Sequence, residues 1–181
     1  MCNSKLIRSI LSGALALGLL LAPSALTISA AACVPKKPTG KTIGTIKVKN
    51  VSLPIKAFNY PAGGVMEPQP TTLAAGLSKR HMPLSSQLGT SVITWHINYK
   101  GCWSPLNVLM GEDVGGIIRI TDENGDLQRY RIDRKLVVKK GDYKASWFNL
   151  VGPRQLALFT CTGEVIRNHY NKNMVFIATP L

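Results

Sequence analysis

The sequence is poor in the side chains that build most metal centres. Its 181 residues include nine Asp and Glu, three His and four Cys, and no metal-ligand constellation is apparent among them. The acidic stretch at 122–126 is shorter than a calcium loop and lacks its spacing, so we interpret it as an exposed hairpin turn. Heptads and internal repeats are also absent, which excludes coiled coils and solenoids. We therefore expect a protein that uses no metal and no other cofactor.

Charge is missing altogether between Ile10 and Cys33. Lys5 and Arg8 precede this segment, its centre is the apolar run LSGALALGLLLA, and it ends in small residues. A basic start, an apolar centre and a small-residue end are typical of an export signal. Pro23 follows the apolar run, which favours a cleaved signal over a permanent membrane anchor, and the anchor stays as an alternative.

This pattern divides the chain into three segments. Residues 1–33 are predicted to be the signal or anchor, residues 34–41 a short linker, and residues 42–181 one domain of ordinary size. Cleavage within the small-residue end would release a soluble protein, whereas lipidation of Cys33 would tether it to the membrane. We expect the protein at the extracytoplasmic face of the cell membrane or in the cell wall.

Acidic residues are scarce, and the 22 Lys and Arg give the chain a net charge of +13 at pH 7. The basic residues are scattered in small groups, among them Lys139 and Lys140, and form no single run. A basic protein outside a cell is attracted to anionic polymers and lipid headgroups. Because no nucleic-acid-binding motif is recognised, we interpret the charge as attraction to the envelope and expect no nucleic acid partner.

Cysteines are few, and their number is odd once Cys2 has left with the signal. Cys33, Cys102 and Cys161 would remain. An exported protein with an odd cysteine lipidates one thiol, pairs one between chains, or keeps one free and reactive. If Cys33 carries lipid, Cys102 could form a disulfide with Cys161. Without that disulfide both thiols are free in an oxidising compartment, where free thiols usually have a function.

Short β-rich segments alternate with turns after residue 42. The strongest strand pattern is SVITWHINY, and the segments IIRIT and LQRYRI are predicted to form a hairpin across Asn124 and Gly125. Ser104 and Pro105 are predicted to open a short helix, whereas TTLAAGLSKR is interpreted as one helical turn or an irregular segment. Seven or eight strands with at most two short helices indicate an all-β fold, an antiparallel barrel or sandwich.

Two reactive side chains lie near predicted strand ends. His96 lies late in the strongest strand, and Cys161 ends the strand QLALFTC, directly before a turn marked by Gly163. A thiolate is a strong nucleophile, and an imidazolium beside it lowers the thiol pKa or protonates a leaving amine. The pair is a candidate for nucleophilic catalysis, and a buried structural cysteine with a satisfied polar histidine is the alternative.

The motifs resemble the sortase family, exported cysteine transpeptidases built on an eight-stranded β-barrel. LALFTC matches the family's Leu-x-Thr-Cys strand end at Thr160 and Cys161, and SVITWH stands where the family has a strand that runs into its histidine, here His96. GEDVGGIIRITDENGDLQRYRI is similar to the middle hairpin of sortases. PAGGVMEPQP, LGTSVITWH and HYNKNMVFIA resemble the class F branch. The resemblance covers residues 42–181 and implies the eight-stranded barrel with one or two short helices.

The resemblance also implies which residues form the active site. Cys161 is the implied nucleophile, and His96 gives its proton to the departing amine. The arginine with which sortases hold substrate and oxyanion falls by motif register at Asn171. Arg167, expected in a loop after the cysteine, is therefore the implied replacement, with Lys172 as a weaker one.

Substrate contacts are implied for three further positions. Thr160 would donate a hydrogen bond beside the nucleophile, and Asn171 would lie where the family's arginine contacts the substrate. Trp95 replaces the glycine that usually precedes the family's histidine, so the wall of the site is expected to be bulkier. A disulfide from Cys102 to Cys161 would silence the nucleophile.

The activity implied by the resemblance is cleavage of a surface-protein sorting motif through a thioacyl intermediate. The acyl group then passes to an amine of the cell envelope, such as an envelope glycopeptide or a pilin lysine. Expected partners are sorting-motif peptides and this amine acceptor, with the protein membrane-associated and monomeric. The arginine missing at position 171 favours an alternative, a catalytically weak or inactive envelope-binding module on the same barrel.

Overall fold

The structure of the protein, a computed structural model, describes residues 33–59 and 68–181. The predicted signal segment lies outside these residues, except for Cys33. The strands of the described chain are β1 Thr42–Val48, β2 Val51–Phe58, β3 Ala75–Ser78, β4 Thr90–Trp95, β5 Asn98–Tyr99, β6 Cys102–Trp103, β7 Ile117–Thr121, β8 Leu127–Lys139, β9 Gln155–Ile166 and β10 His169–Pro180. Two short 3₁₀-helices span Pro105–Gly111 and Ala145–Trp147.

Eight of these strands form a closed barrel in the order β1-β2-β3-β4-β9-β10-β8-β7, and β7 pairs back to β1. The remaining two, β5 and β6, form a separate two-stranded sheet. Most neighbours in the barrel are antiparallel, but β2 with β3 and β4 with β9 are parallel. The eight-stranded all-β barrel with two short helices confirms the predicted fold class.

The central strands of the barrel bury both of their faces. On β9, Leu156 and Leu158 belong to the cluster that fills the barrel interior. Ala157 and Phe159 point the other way, into a second cluster on the outside of the barrel, which Trp147 of the second 3₁₀-helix covers. Burial on both faces explains why this strand reads as a continuous apolar run instead of an alternating one.

Local turn chemistry is formed as predicted. The Ser104 hydroxyl accepts a hydrogen bond from the Leu106 amide at 3.2 Å, and Pro105 begins the first 3₁₀-helix. At the β7–β8 turn, a carboxylate oxygen of Asp122 accepts amide hydrogen bonds from Asn124 at 2.9 Å and Asp126 at 3.0 Å. The acidic stretch is therefore a hairpin turn whose carboxylate bonds its own backbone.

Two segments differ from the sequence prediction. TTLAAGLSKR contains β3, which pairs with β2 on one side and β4 on the other, so pairing partners distant in sequence decide its conformation. β9 does not end at Cys161 but continues to Ile166, and Arg167 and Asn168 then form a tight turn with φ of 49° and 64°. The predicted turn at Gly163 is instead an irregularity within the β9–β10 hairpin, where the register shifts between Tyr170 and Lys172.

The segment 34–41, predicted as a linker, is attached to the barrel. Cys33 forms a disulfide with Cys102 of β6, with 5.2 Å between their Cα atoms. Farther along, the Gln69 side chain accepts from the Thr39 amide at 3.2 Å and donates to the Thr39 carbonyl at 3.1 Å. Within residues 33–59 and 68–181 we find no helix with the length and apolar character needed to cross a membrane.

This disulfide corrects the cysteine hypotheses. Cys102 pairs with Cys33, so the proposed disulfide between Cys102 and Cys161 is wrong for this structure. Cys161 is left as a free thiol. The odd cysteine of the sequence is thus the one that the family resemblance marks as the nucleophile.

Candidate active site

Parallel pairing of β4 with β9 fixes where the two reactive side chains lie. The register runs from Thr90 opposite Gln155 to Trp95 opposite Thr160. His96 and Cys161 are the next residues on these two chains, and neighbouring strands are usually about 4.8 Å apart. The fold therefore brings together a histidine and a cysteine that are distant in sequence.

Side-chain alternation puts both residues on the same face of the sheet. Trp95 belongs to the interior cluster, and consecutive residues of a strand point to opposite faces. His96 is the first residue after β4, so an extended continuation of the strand would turn its side chain to the outer face. On β9, Phe159 already faces outward in the second cluster, and Cys161 continues its face two residues later. This alternation favours a common outer face for His96 and Cys161.

The Cys161 thiol is partly buried. Burial raises its pKa above the ordinary value, because the thiolate loses solvation there. The charge of Lys140 and a hydrogen bond from Lys140 act in the opposite direction and lower the pKa. Burial and Lys140 therefore act in opposite directions on the pKa of the Cys161 thiol.

His96 is supported by a small hairpin outside the barrel. Its ring contacts that of Tyr99 in β5, with centroids 5.0 Å apart. The partner strand β6 carries Cys102, which is tied to Cys33. The disulfide therefore fastens the N-terminal segment to the hairpin on which the His96 ring rests.

Trp95 and Thr160 are buried in the barrel, and their expected contact with substrate stays a prediction. Each is 2% exposed. The Trp95 indole donates to the Asn107 side chain at 3.1 Å and stacks on Phe176 inside the barrel. The Thr160 hydroxyl donates to the Trp95 carbonyl at 2.9 Å. Both side chains are thus committed to the barrel and join the strands that carry His96 and Cys161.

The β9–β10 hairpin does not bring Arg167 to the nucleophile. Arg167 occupies the exposed turn at the far end of the hairpin. At about 3.3 Å of rise per residue, its backbone is roughly 20 Å along the strand from Cys161. Arg167 therefore lies in the turn that ends the hairpin instead of a loop beside the cysteine, and its role toward substrate and oxyanion stays a prediction.

Asn171 also has a local role. Its side-chain oxygen accepts a hydrogen bond from the Glu164 amide at 3.0 Å, which holds the irregular part of the hairpin together. Lys172 pairs with Thr162, the neighbour of Cys161, and so belongs to the opposite face. Of the two proposed replacements for the arginine, strand register thus puts Lys172 on the opposite face, and Arg167 lies at the distant turn.

Three residues near Cys161 were not predicted. Asn173 pairs directly with Cys161, donates to the Thr160 carbonyl at 3.0 Å and accepts from the Tyr143 hydroxyl at 3.1 Å. Lys140 follows β8, the strand beyond β10. The sequence marked Lys140 only as one of many scattered basic residues, because its proximity arises from pairing across three strands.

Potential metal ligands are sparse in the part of the chain that the structure describes. No three His, Cys, Asp or Glu side chains there come close enough together to hold a metal ion. What the arrangement offers is a thiol with an ammonium group beside it, and an imidazole at the end of the neighbouring strand. These are the components of nucleophilic attack on a carbonyl followed by proton transfer to a leaving group.

Comparisons with known proteins agree with this architecture. The sortase domain family matches residues 46–181. Sortase A from Corynebacterium diphtheriae superimposes with a TM-score of 0.60 at 21% identity, over 78% of this chain and 61% of its own. The lid mutant of Streptococcus agalactiae sortase C1 gives a TM-score of 0.61 at 20% identity, over 79% and 71% of the two chains.

The structural likeness extends to a third organism. Sortase C-1 from Actinomyces oris gives a TM-score of 0.60 at 18% identity, over 78% of this chain and 75% of its own. No curated protein sequence matches the chain. At these identities the solved structures demonstrate a shared fold, and this chain spans 61% of the length of the Corynebacterium sortase A chain.

Proposed function

This chain belongs to the sortase family, and from that premise we propose that it is a cysteine transpeptidase whose reaction is carried by Cys161 and His96. The observation that supports the proposal is the parallel register of β4 and β9, which pairs Trp95 with Thr160, the residues that directly precede His96 and Cys161. The free state of Cys161, while Cys33 and Cys102 are paired, supports its assignment as the nucleophile.

The proposed reaction has two halves. The Cys161 thiolate attacks a peptide carbonyl carbon and forms a carbon–sulfur bond, after which the carbon–nitrogen bond breaks and the amine leaves with a proton from the His96 imidazolium. An acceptor amine then attacks the thioacyl carbon, gives its proton to neutral His96, and releases the Cys161 thiolate. If water takes the place of the amine, the same steps give hydrolysis.

We further propose a surface-protein sorting motif as the substrate and an envelope amine as the acceptor. This assignment rests on the family, and the class F assignment rests on the motifs LGTSVITWH and HYNKNMVFIA. The net charge of +13 favours attraction of the protein to an anionic envelope. We propose a monomer that acts at the membrane.

Export is supported by two features of the N-terminal part. The charge-free segment 10–33 has the pattern of an export signal. The Cys33–Cys102 disulfide is of the kind that persists in oxidising compartments. Because this disulfide uses the sulfur that lipidation would need, we propose a cleaved signal or an anchor ahead of Cys33 in place of lipid on Cys33.

Intact mass spectrometry tests the activity. The full chain is incubated with a panel of sorting-motif peptides, and we expect a thioacyl adduct that maps to Cys161. Cys161→Ala should form no adduct, and His96→Ala should form it far more slowly, because the leaving amine loses its proton donor. If no peptide gives an adduct while the protein still binds cell envelopes, the envelope-binding module replaces the enzyme.

A further inference from the structure

A thiolate on this face of the barrel needs a positive charge beside it. Burial raises the pKa of Cys161 even with Lys140 beside it, so without that cation the thiol would be protonated still more completely at neutral pH. The arginine position of the family holds Asn171, and Arg167 lies at the distant turn. The question is therefore which cation the fold itself brings to the sulfur.

Strand register answers this question for one lysine. Cys161 pairs with Asn173 on β10, and Asn173 pairs with Val138 on β8. Directly paired residues present their side chains on the same face, and every second residue of a strand returns to that face. Lys140 lies two residues beyond Val138, so it returns to the face of Cys161.

The backbone of Lys140 is held in this position. Its amide donates to the Asn171 carbonyl at 3.4 Å, which continues the pairing of β8 with β10 beyond Lys139. Lys139, in contrast, pairs with Lys172, and both belong to the opposite face of the sheet. Of these three neighbouring lysines, Lys140 alone has its side chain on the face of the thiol.

We propose that the Lys140 ammonium group stabilises the Cys161 thiolate and so does for the nucleophile what the missing arginine would otherwise do by its charge. The role of Lys140 in turnover rests on the proposed function, but the contact between Lys140 and Cys161 does not. The hydrogen bond and charge by which Lys140 opposes the effect of burial on Cys161 agree with the register.

Other titratable groups also lie around the Cys161 thiol. His96 approaches from the end of β4 and is the proposed proton donor. Tyr143 lies beyond Asn173 and hydrogen-bonds that side chain. Glu164, on β9 itself, lies past the irregularity at Gly163 and is exposed. A change made at Lys140 must therefore be compared with changes at a neighbour of equal charge.

The pH dependence of Cys161 alkylation by iodoacetamide tests the contact without any peptide substrate. The full chain is alkylated at a series of pH values, and the rate is read from the mass of the tryptic peptide 155–167. Loss of a stabilising cation raises the thiol pKa, so thiolate is lost at neutral pH and reappears only at higher pH. We expect Lys140→Met to move the midpoint upward by about 0.5–1 unit, which is about a three- to tenfold loss of thiolate at pH 7.

Two variants make the test specific. Lys140→Arg should restore the midpoint, because it keeps a cation, and 1 M salt should shrink the difference between Lys140→Met and the unmodified chain, since the Debye length falls to about 3 Å. Lys172→Met removes an equal charge from the opposite face and should leave the midpoint in place. A profile of Lys140→Met that coincides with that of the unmodified chain, or an equal shift in Lys172→Met, overturns the proposal.

The outcome is independent of the enzyme assignment. A shifted midpoint without any thioacyl adduct would support the contact between Lys140 and the Cys161 thiolate but contradict the proposed transpeptidase activity. An adduct that forms with an unshifted midpoint would leave the transpeptidase standing and remove Lys140 from its chemistry.

Discussion

Thr160 and Trp95 join the two strands that lead to Cys161 and His96. The hydrogen bond from the Thr160 hydroxyl to the Trp95 carbonyl joins β9 to β4 at the last pair before Cys161 and His96. A buried hydrogen bond between neutral groups contributes about 0.5–1.5 kcal/mol to stability. The spacing of nucleophile and proton donor thus depends on a bond made one residue before each.

Replacement of this hydroxyl has a matched control on the neighbouring strand. Thr160→Val keeps the side-chain shape but loses the hydrogen bond, so we expect it to lower the free energy of unfolding by about 1 kcal/mol. Thr94 is 3% exposed and its hydroxyl has no hydrogen-bond partner among the described residues. Thr94→Val should therefore be neutral or stabilising. Urea unfolding measures both, and equal effects would show that the Thr160 bond contributes nothing.

The roles of residues marked by local turn chemistry or by a family motif could be predicted from the sequence. The roles of residues that are brought together by strand pairing could not. The Ser104 cap and the turn at Gly125 follow from side-chain chemistry within a few residues. Cys161 was marked by its motif and by the odd thiol count. Lys140 becomes its neighbour only through the register of β8, β10 and β9, and no spacing in the sequence encodes that register.

Within the β9–β10 hairpin, Gly163 lies between Cys161 and the exposed turn at the end of the hairpin. Gly163, two residues after Cys161, has φ of +86°, and a Cβ added there would collide with the Asn171 side-chain oxygen. That oxygen accepts the Glu164 amide at 3.0 Å. Glycine is therefore required at this position both for the backbone angle and for the close approach of Asn171.

Gly163→Ala should lower the stability of the protein both through the backbone angle and through the collision with Asn171. A non-glycine residue at positive φ costs of order 1–3 kcal/mol, and we expect the crowded Asn171 to add about 1 kcal/mol or more. Gly125→Ala is the matched control, because Gly125 also lies in a hairpin, has φ of +91° and has no atom within 4 Å of an added Cβ. Chemical denaturation of both variants measures the difference. Equal losses of stability would mean that Asn171 moves aside freely.

The extent of elements was harder to predict than their existence. β9 was expected to end at Cys161, because the apolar run ends there and a glycine follows. It continues to Ile166 because β10 pairs with it along the whole hairpin, and the positive φ at Gly163 takes up the irregularity. β3 was missed for a related reason, since its small residues carry little strand propensity and its neighbours β2 and β4 impose its conformation.

At the scale of the whole molecule, the disulfide connects the N-terminal segment to the neighbourhood of the site. Cys33 and Cys102 are separated by 69 residues, and Cys102 is 3% exposed. The segment after Cys33 lines a pocket together with Thr72 and the β5–β6 hairpin; its lining residues are Val34, Pro35, Lys36, Thr72, Tyr99 and Lys100. Tyr99 also contacts His96. The disulfide therefore holds in place the hairpin against which the His96 ring packs.

Removal of this link should destabilise the whole domain. Closure of a loop of 69 residues lowers the entropy of the unfolded chain by an amount worth about 4 kcal/mol. For a domain of this size that corresponds to a fall in Tm of about 10 °C. We expect this fall in Cys33→Ala/Cys102→Ala and in the unmodified chain under reductant, measured by differential scanning calorimetry.

The controls separate the disulfide from the nucleophile. Cys161→Ser keeps the disulfide, so reductant should lower its Tm as much as that of the unmodified chain. Reductant should leave the Tm of Cys33→Ala/Cys102→Ala unchanged, because that variant has no disulfide to lose. An unmodified chain whose Tm is insensitive to reductant would mean that the two cysteines are not paired in solution. Cys33 would then again be open to lipidation, and the support that the disulfide gives to export would be lost.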